Sequence, residues 1–358
     1  MQGRSPSDVI KPEVRRLSAY TLKHVKADVK LDQNENPYEL PQDLKEEVAR
    51  RVLARPWGRY PEFVPQSTIA AISKFTGWTE DGILIGNGSN ELIMAGLSVV
   101  LGNARKAVIP QPTFTLYKLL SSVFEANAVT VPMHASDFTF NVEALEAEAK
   151  DAAVTVICSP NNPTGILLPA AALQRILTAT SGLVFLDEAY HEFSGQTALT
   201  LLPANPNLIV LRTFSKAMSM AGLRFGYLMA HPEIAKEIHK AKLPYNVNVF
   251  TLTAAELVLE HSHILRDAIQ TLIGERQRVL AEVRKRPGVE AFDSCTNFFL
   301  FRTRRVAREL FDALYAQGVL VRDVSSYPML DRVLRVSIGK PQENDRFLSA
   351  LDRALEIS

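Results

Sequence analysis

Between residues 83 and 230, short runs of β-branched and aliphatic side chains alternate with helical patterns of apolar residues. This alternation predicts βα units around a mostly parallel sheet. Seven strands are expected, at 83–85, 107–109, 129–131, 154–158, 184–186, 208–211 and 226–229, most of them closed by a polar, glycine or proline loop. Ligands of such sheets bind beyond the carboxyl ends of the strands, so the loops that follow the strands carry the functional reading. After Pro232 the pattern changes to one long amphipathic helix over roughly 250–285, then to shorter strands at 298–301, 319–322 and 334–338, which reads as a separate lobe. The segment before residue 50 lacks the βα rhythm, and its Asn34-Glu35-Asn36-Pro37 stretch reads as an ordered turn ahead of a helix near 42–53. It is expected to pack with the C-terminal lobe. The expected division is a large domain over 50–265 and a small domain formed by 1–49 together with 266–358.

Composition narrows the class. A chain of 358 residues with 47% hydrophobic side chains is long enough for one large α/β domain and a smaller one. Its 40 basic and 39 acidic residues nearly cancel, so no net field draws the molecule to nucleic acid or to an anionic membrane. Residues 1–16 mix polar and charged types without an apolar core, unlike a signal or transit peptide, and the apolar stretch 92–101 is too short to span a bilayer. A soluble cytoplasmic protein is expected. Cys158 and Cys295 lie far apart within apolar runs, which favours buried free thiols over a disulfide or a metal cluster.

Five loops carry residues suited to a phosphorylated, electron-withdrawing heterocycle. Gly86-Asn87-Gly88-Ser89-Asn90-Glu91 joins a strand to an apolar helix, where glycines and unpaired N–H groups suit an anion; taken alone, the loop reads more readily as a plain turn capped by Ser89. The loop lacks the lysine of a P-loop and the spacing of a dinucleotide fingerprint. In Ser159-Pro160-Asn161-Asn162-Pro163-Thr164-Gly165, Pro163 pushes Asn162 out of helical geometry with its amide free to donate; a structural turn is the alternative.

Asp187-Glu188-Ala189-Tyr190 ends an apolar strand, where an unpaired carboxylate is costly and a protonated pyridine nitrogen or a buried ion pair would satisfy it. A metal site from Glu188 and His191 fits poorly, because the segment leaves a strand and zincin pairs need two histidines one helical turn apart. Thr213-Phe214-Ser215-Lys216 supplies an amine able to form a Schiff base if desolvated, and Arg224 follows beyond a glycine turn, suited to a bidentate grip on phosphate. Gln111-Pro112-Thr113-Phe114 offers an aromatic ring for stacking or for the core.

Taken in order with Leu31 to Pro37, Arg59-Tyr60-Pro61 and Leu334 to Gly339, these motifs run nearly the whole chain. The sequence resembles the fold-type I aminotransferases of class I/II and, among them, the histidinol-phosphate aminotransferases. The resemblance implies a three-layer α/β fold with a mostly parallel seven-stranded sheet and a smaller α+β domain, and pyridoxal 5′-phosphate as cofactor. By the same resemblance Lys216 carries the cofactor and shuttles a proton, Asp187 pairs the pyridine nitrogen, and Asn162 with Tyr190 holds the phenolic oxygen. Ser89, Asn90, Thr213, Ser215 and Arg224 hold the phosphate, and Phe114 stacks on the ring.

Tyr60 matches a residue that the family supplies from the partner subunit, which implies a homodimer with active sites at the interface. Arg335 and Arg322, with Tyr20 and Asn36, form the implied substrate side, for histidinol phosphate or another amino acid and for 2-oxoglutarate or glutamate. Phe114 departs from the tyrosine often found there, and residues 20–25 lack the Pro-Gly common in the family. A broad-range or aromatic aminotransferase and a threonine-phosphate decarboxylase would need the same electron sink. A non-catalytic sensor would be expected to lack the lysine or to carry a DNA-binding segment.

Overall fold

The computed structural model describes residues 5–18 and 26–356. All seven expected strands form, in a single sheet. Its spatial order is Ile83–Gly86, Gly226–Ala230, Leu208–Thr213, Leu183–Asp187, Val154–Cys158, Lys106–Gln111 and Asn127–Pro132. Gly226–Ala230 runs antiparallel to both neighbours, and the remaining pairings are parallel.

The strands read as continuous apolar runs because both faces are covered. Alternate residues supply the two cores: Val108, Ile157, Leu186 and Val210 point to one side, whereas Ile109, Cys158, Phe185 and Leu211 point to the other. Helices complete the layers. Gln66–Thr76, Ala170–Ala179 and Val249–Glu260 pack on the first face, and Ser89–Val100, Thr115–Val123 and Pro232–His239 on the second. The result is the expected three-layer α/β arrangement.

A second sheet is antiparallel, in the order Arg322–Asp323, Val333–Ser337, Phe298–Arg302, Glu290–Ala291. It packs a core of Phe298, Phe299, Phe301 and Phe347 against the helices Arg266–Arg284, Ala307–Tyr315 and Pro341–Glu356. The N-terminal strand Val29–Lys30 pairs in parallel with Val319–Leu320. The helix Gln42–Leu53, by contrast, directs Leu44, Val48 and Val52 into the core of the large sheet, beside Val249–Glu260.

Two expectations require correction. The helix over 250–285 is broken into Val249–Glu260 and Arg266–Arg284, with a 3-10 turn at Ser262–Leu265 between them. The first piece is buried on nearly every side in the large core, while the second presents the stripe Leu272, Val279 and Val283 to the smaller one. One straight helix cannot aim these two faces at two cores. The strand over 319–322 likewise divides into Val319–Leu320 and Arg322–Asp323, which pair with different partners. Among the described residues no helix is long and apolar enough to cross a membrane.

Candidate active site

Cys158, Asp187 and Thr213 are the last residues of three central strands, and they open into a cleft of about 340 Å³. The cleft brings together twelve of the residues singled out by sequence: Ser89, Asn90, Phe114, Asn162, Asp187, Tyr190, Thr213, Ser215, Lys216, Arg224, Arg322 and Arg335. Their convergence follows from topology, since the loops beyond the carboxyl ends of parallel strands gather on one side of a sheet.

At one end lies an anion cradle. Gly88 precedes the helix Ser89–Val100 with φ of +81°, and a Cβ there would fall 2.5 Å from Arg224 Nη2. A Cβ on Gly226 would fall 2.5 Å from the Ser89 amide nitrogen. The two glycines therefore let the helix N-terminus and the guanidinium close on the same space. Arg224 donates to Ser215 Oγ at 2.9 Å, and the Thr213 hydroxyl lies 3.0 Å from the same oxygen. Arg224 itself has φ of +58°, a left-handed geometry that costs a non-glycine residue about 1–3 kcal/mol. The strain is consistent with a side chain aimed for a purpose.

Lys216 stands half-buried in the cleft. Its Nζ donates to the Gln33 carbonyl at 2.8 Å. Burial, reinforced by the positive charges of Arg335, Arg224 and Lys30 and opposed by Glu35, lowers its pKa to about 7. The amine is thereby nucleophilic near neutrality.

Asp187 is 4% exposed. Its Oδ1 accepts the Ala189 amide at 3.1 Å and its Oδ2 the Tyr117 hydroxyl at 2.7 Å. Burial pushes its carboxyl pKa up, and these two hydrogen bonds pull it back. Tyr190 accepts from Asn34 Nδ2 at 3.0 Å, which leaves the tyrosine's own proton to donate into the cleft, while burial keeps that hydroxyl protonated. Phe114 caps the helix Thr115–Val123 and meets Tyr117 edge-on at 5.7 Å.

On the opposite side, Arg335 donates to Asn162 Oδ1 at 2.6 Å and to the Asp32 carbonyl at 2.7 Å. Arg322 stands across from it in the adjacent strand. A cleft with donors clustered at one end, an amine of lowered pKa, an acid below it and arginines at the other side can hold a phosphorylated heteroaromatic aldehyde. Held there, its phosphate would face the glycine-lined cradle, its ring nitrogen Asp187 and its aldehyde Lys216, all of which line the cleft.

Two expected residues, Asn36 and Tyr60, lie elsewhere. Tyr20 is outside the described residues. Asn36 does not line the cleft: its Nδ2 donates to the Ala217 carbonyl at 3.0 Å and its Oδ1 accepts the Tyr38 amide, so it braces the turn beside Lys216. Tyr60 is 80% exposed and stacks on Tyr245 with ring centroids 4.6 Å apart. Glu188 is buried in an ion pair with Arg212, through two contacts of 3.0 Å to Oε2, and also accepts from Thr197 and the Ala198 amide. Its oxygens are thus spent on structure.

Sequence reasoning missed Tyr117, Asn34 and Asn161. Asn161 receives the Thr113 hydroxyl at 2.6 Å and donates to the Pro112 carbonyl and to Thr164, locking two loops so that Asn162 faces the cleft. The available signal was a polar residue inside the same Pro-rich loops. For Tyr117 it was only its position one helical turn after Phe114.

The chain is similar to known proteins over nearly its whole length. The family "Aminotransferase class I and II" matches residues 26–351. Histidinol-phosphate aminotransferase of Chlorobaculum tepidum is 40% identical over 349 residues, covering 96% of this chain and 100% of that protein. The enzyme of the same name from Prosthecochloris aestuarii is 38% identical over 351 residues, with 97% and 98% covered. Among solved structures, the histidinol-phosphate aminotransferase from Sinorhizobium meliloti in complex with pyridoxal-5′-phosphate superposes with a TM-score of 0.87 at 22% identity, covering 98% of each chain. L-threonine-O-3-phosphate decarboxylase from Porphyromonas gingivalis gives 0.82 at 24% identity, covering 92% of this chain and 99% of that one. At such identities the structural likeness speaks for the fold alone.

Proposed function

The chain belongs to the class I and II aminotransferases, and from that premise we propose that it transfers the amino group of histidinol phosphate to 2-oxoglutarate in histidine biosynthesis. The observation that carries this reading is the 40% identity, end to end, with a histidinol-phosphate aminotransferase. The cofactor of the reaction is pyridoxal 5′-phosphate, and the residues of the cleft fit it.

When bound, the cofactor supplies an electron-poor ring that accepts the electron pair released at the substrate's amine-bearing carbon. The chain does the rest. Ser89, Asn90, Thr213, Ser215 and Arg224 bind the phosphate, and Phe114 covers one face of the ring. Asp187 holds the proton of the ring nitrogen. Asn162 and Tyr190 donate to the phenolic oxygen, with Asn162 kept in that orientation because Arg335 occupies its own oxygen. Lys216 Nζ, once freed by the incoming amine, would take the proton from the substrate's amine-bearing carbon and deliver it to the former aldehyde carbon of the cofactor within the same half-reaction, and the second half-reaction would run this transfer in reverse.

Arg335 and Arg322 bind the anionic end of the substrate, the phosphate of histidinol phosphate in one half-reaction and a carboxylate of the oxo acid in the other. Each bears a second anion-binding function distinct from the Arg224 cradle.

The active species in this reading is a homodimer of the cytoplasm. Tyr60 belongs to an exposed aromatic patch in which it stacks on Tyr245 and Phe63 meets Tyr245 edge-on, a surface suited to being covered. In the dimer the patch is covered, and Tyr60 reaches the partner's cofactor.

A half-reaction screen tests the substrate. Cofactor-loaded protein is mixed with histidinol phosphate, phenylalanine, threonine phosphate and glutamate, and the absorbance change of the cofactor is followed. Histidinol phosphate should convert it fastest, with glutamate second. Faster conversion by phenylalanine, or release of carbon dioxide from threonine phosphate, would replace this reading.

A further inference from the structure

Tyr117 and Asp187 are 70 residues apart in the chain and meet on the floor of the cleft, hydroxyl to Oδ2 at 2.7 Å, with the tyrosine wholly buried. We propose that Tyr117 is a positioning residue for amino transfer, whose hydroxyl holds Asp187 ionised and aimed at the ring nitrogen of the cofactor. The proposal rests on the reading of Asp187 as the partner of that nitrogen.

The surroundings give the hydroxyl its importance. Asp187 pairs in register with Cys158 of the adjacent strand, is followed by Glu188, and lies near Lys216. The Cys158 thiol is held protonated by burial, and the charge of Glu188 is met by Arg212. No water-like environment compensates the carboxylate. Its two oxygens rely on one backbone amide and one phenol. A carboxylate in so dry a site takes up a proton unless hydrogen bonds favour its charged form. If protonated, it can no longer keep the ring nitrogen protonated, and the ring loses its capacity as an electron sink.

The proton between the two groups stays on the tyrosine. Burial and the negative charge of Asp187 both raise the phenol's pKa well above its ordinary value, so Tyr117 is a donor across the working range of pH. Its ring, by contrast, only fills the core beside Phe114, Leu120 and Cys158, a task that phenylalanine performs as well. Packing and polarity are therefore separable by a single oxygen atom.

The test uses Tyr117→Phe loaded with pyridoxal phosphate carrying ¹⁵N in the ring. The nitrogen resonance should move toward the unprotonated position, and the cofactor's dissociation constant should rise roughly tenfold, the equivalent of one pKa unit. Turnover should fall while the KM of the amino donor stays near that of the wild type. A merely structural tyrosine leaves the resonance and the dissociation constant unchanged, and that result overturns the proposal. Asp187→Asn is measured alongside: if its resonance also matches the wild type, the assignment of Asp187 fails and not the tyrosine alone. Should Tyr117→Phe not fold, 3-fluorotyrosine placed at 117 keeps the shape and acidifies the donor. The resonance must then shift, and an unmoved one counts against the proposal in the same way.

Discussion

Arg335 and Asn162, 173 residues apart, share a hydrogen bond of 2.6 Å between guanidinium Nη1 and amide Oδ1. The second arm of the guanidinium donates to the Asp32 carbonyl, so one side chain joins the small sheet, the loop after Val154–Cys158 and the N-terminal turn. In the proposed function, binding of an anionic substrate by Arg335 and orientation of the amide are therefore coupled. A change at either residue is felt by both.

Replacing Arg335 with lysine keeps the charge but removes the planar fork that reaches two acceptors. The expected outcome is a rise of about tenfold or more in KM for the phosphorylated donor, with smaller loss of kcat. In a double-mutant cycle with Asn162→Ala, the two effects should depart from additivity by about 0.5–3 kcal/mol. Steady-state kinetics of the four proteins checks this, and strict additivity would refute the coupling.

The amine of Lys216 should titrate near pH 7 in protein freed of cofactor, measured by competitive acylation of the lysine as a function of pH. Burial is the main cause and Arg335 the next, so Arg335→Gln removes a neighbouring positive charge and must raise the pKa. The sign for stability follows. Between about 7 and the ordinary lysine value of 10.5, the unfolded chain binds a proton that the native chain does not, so this site adds stability as pH rises through that window. Lys216→Met should flatten that part of the pH–stability curve of the apoprotein.

Gly88→Ala places a methyl group on a left-handed backbone and against Arg224. Strain of about 1–3 kcal/mol is expected, together with a fall of roughly tenfold in cofactor affinity, since the guanidinium must move from the cradle. Equilibrium dialysis reads the affinity. An unaltered dissociation constant would mean that this end of the cleft does not hold the phosphate.

Arg212→Met leaves the buried carboxylate of Glu188 without its cation. Loss of one partner of a buried pair costs about 3–5 kcal/mol, so the midpoint of denaturant unfolding should drop sharply. The double replacement Arg212→Met with Glu188→Leu should recover part of the loss. A midpoint unaffected by the single change would show that the pair contributes nothing.

Mixing inactive Lys216→Ala protein with weakened Tyr60→Ala protein tests the shared site. Random exchange of subunits puts both defects in one site of a hybrid dimer and leaves its other site intact, so activity should approach about a quarter of the wild-type level. If mixing restores nothing although exchange is demonstrated, Tyr60 acts within its own subunit or not at all.

Much of this architecture is local information. Apolar runs at 83–86, 106–111, 154–158 and 208–213 specify strands by their composition, and the loops after them carry their chemistry in sequence: Gly88 before Ser89, Asn162 before Pro163, Asp187 at the end of an apolar run, Lys216 after Thr213. Once the strands form a parallel sheet, these loops must converge at one edge, which explains why twelve of the candidates meet in one cleft. The helix break at 262–265 was hidden because both halves keep a helical period, and only the presence of two separate cores requires them to diverge.

The sequence by itself determined the elements and the reactive residue types, because hydrophobic period, turn chemistry and the placing of a lysine or an acid at a strand end are properties of neighbouring residues. Only the tertiary structure decided who serves whom: Tyr117 with Asp187, Arg335 with Asn162, Asn36 with the backbone behind Lys216. Those pairings span from 70 to 181 positions of chain. Contacts at such separation are set by the order in which strands and lobes pack, and no local pattern records that order.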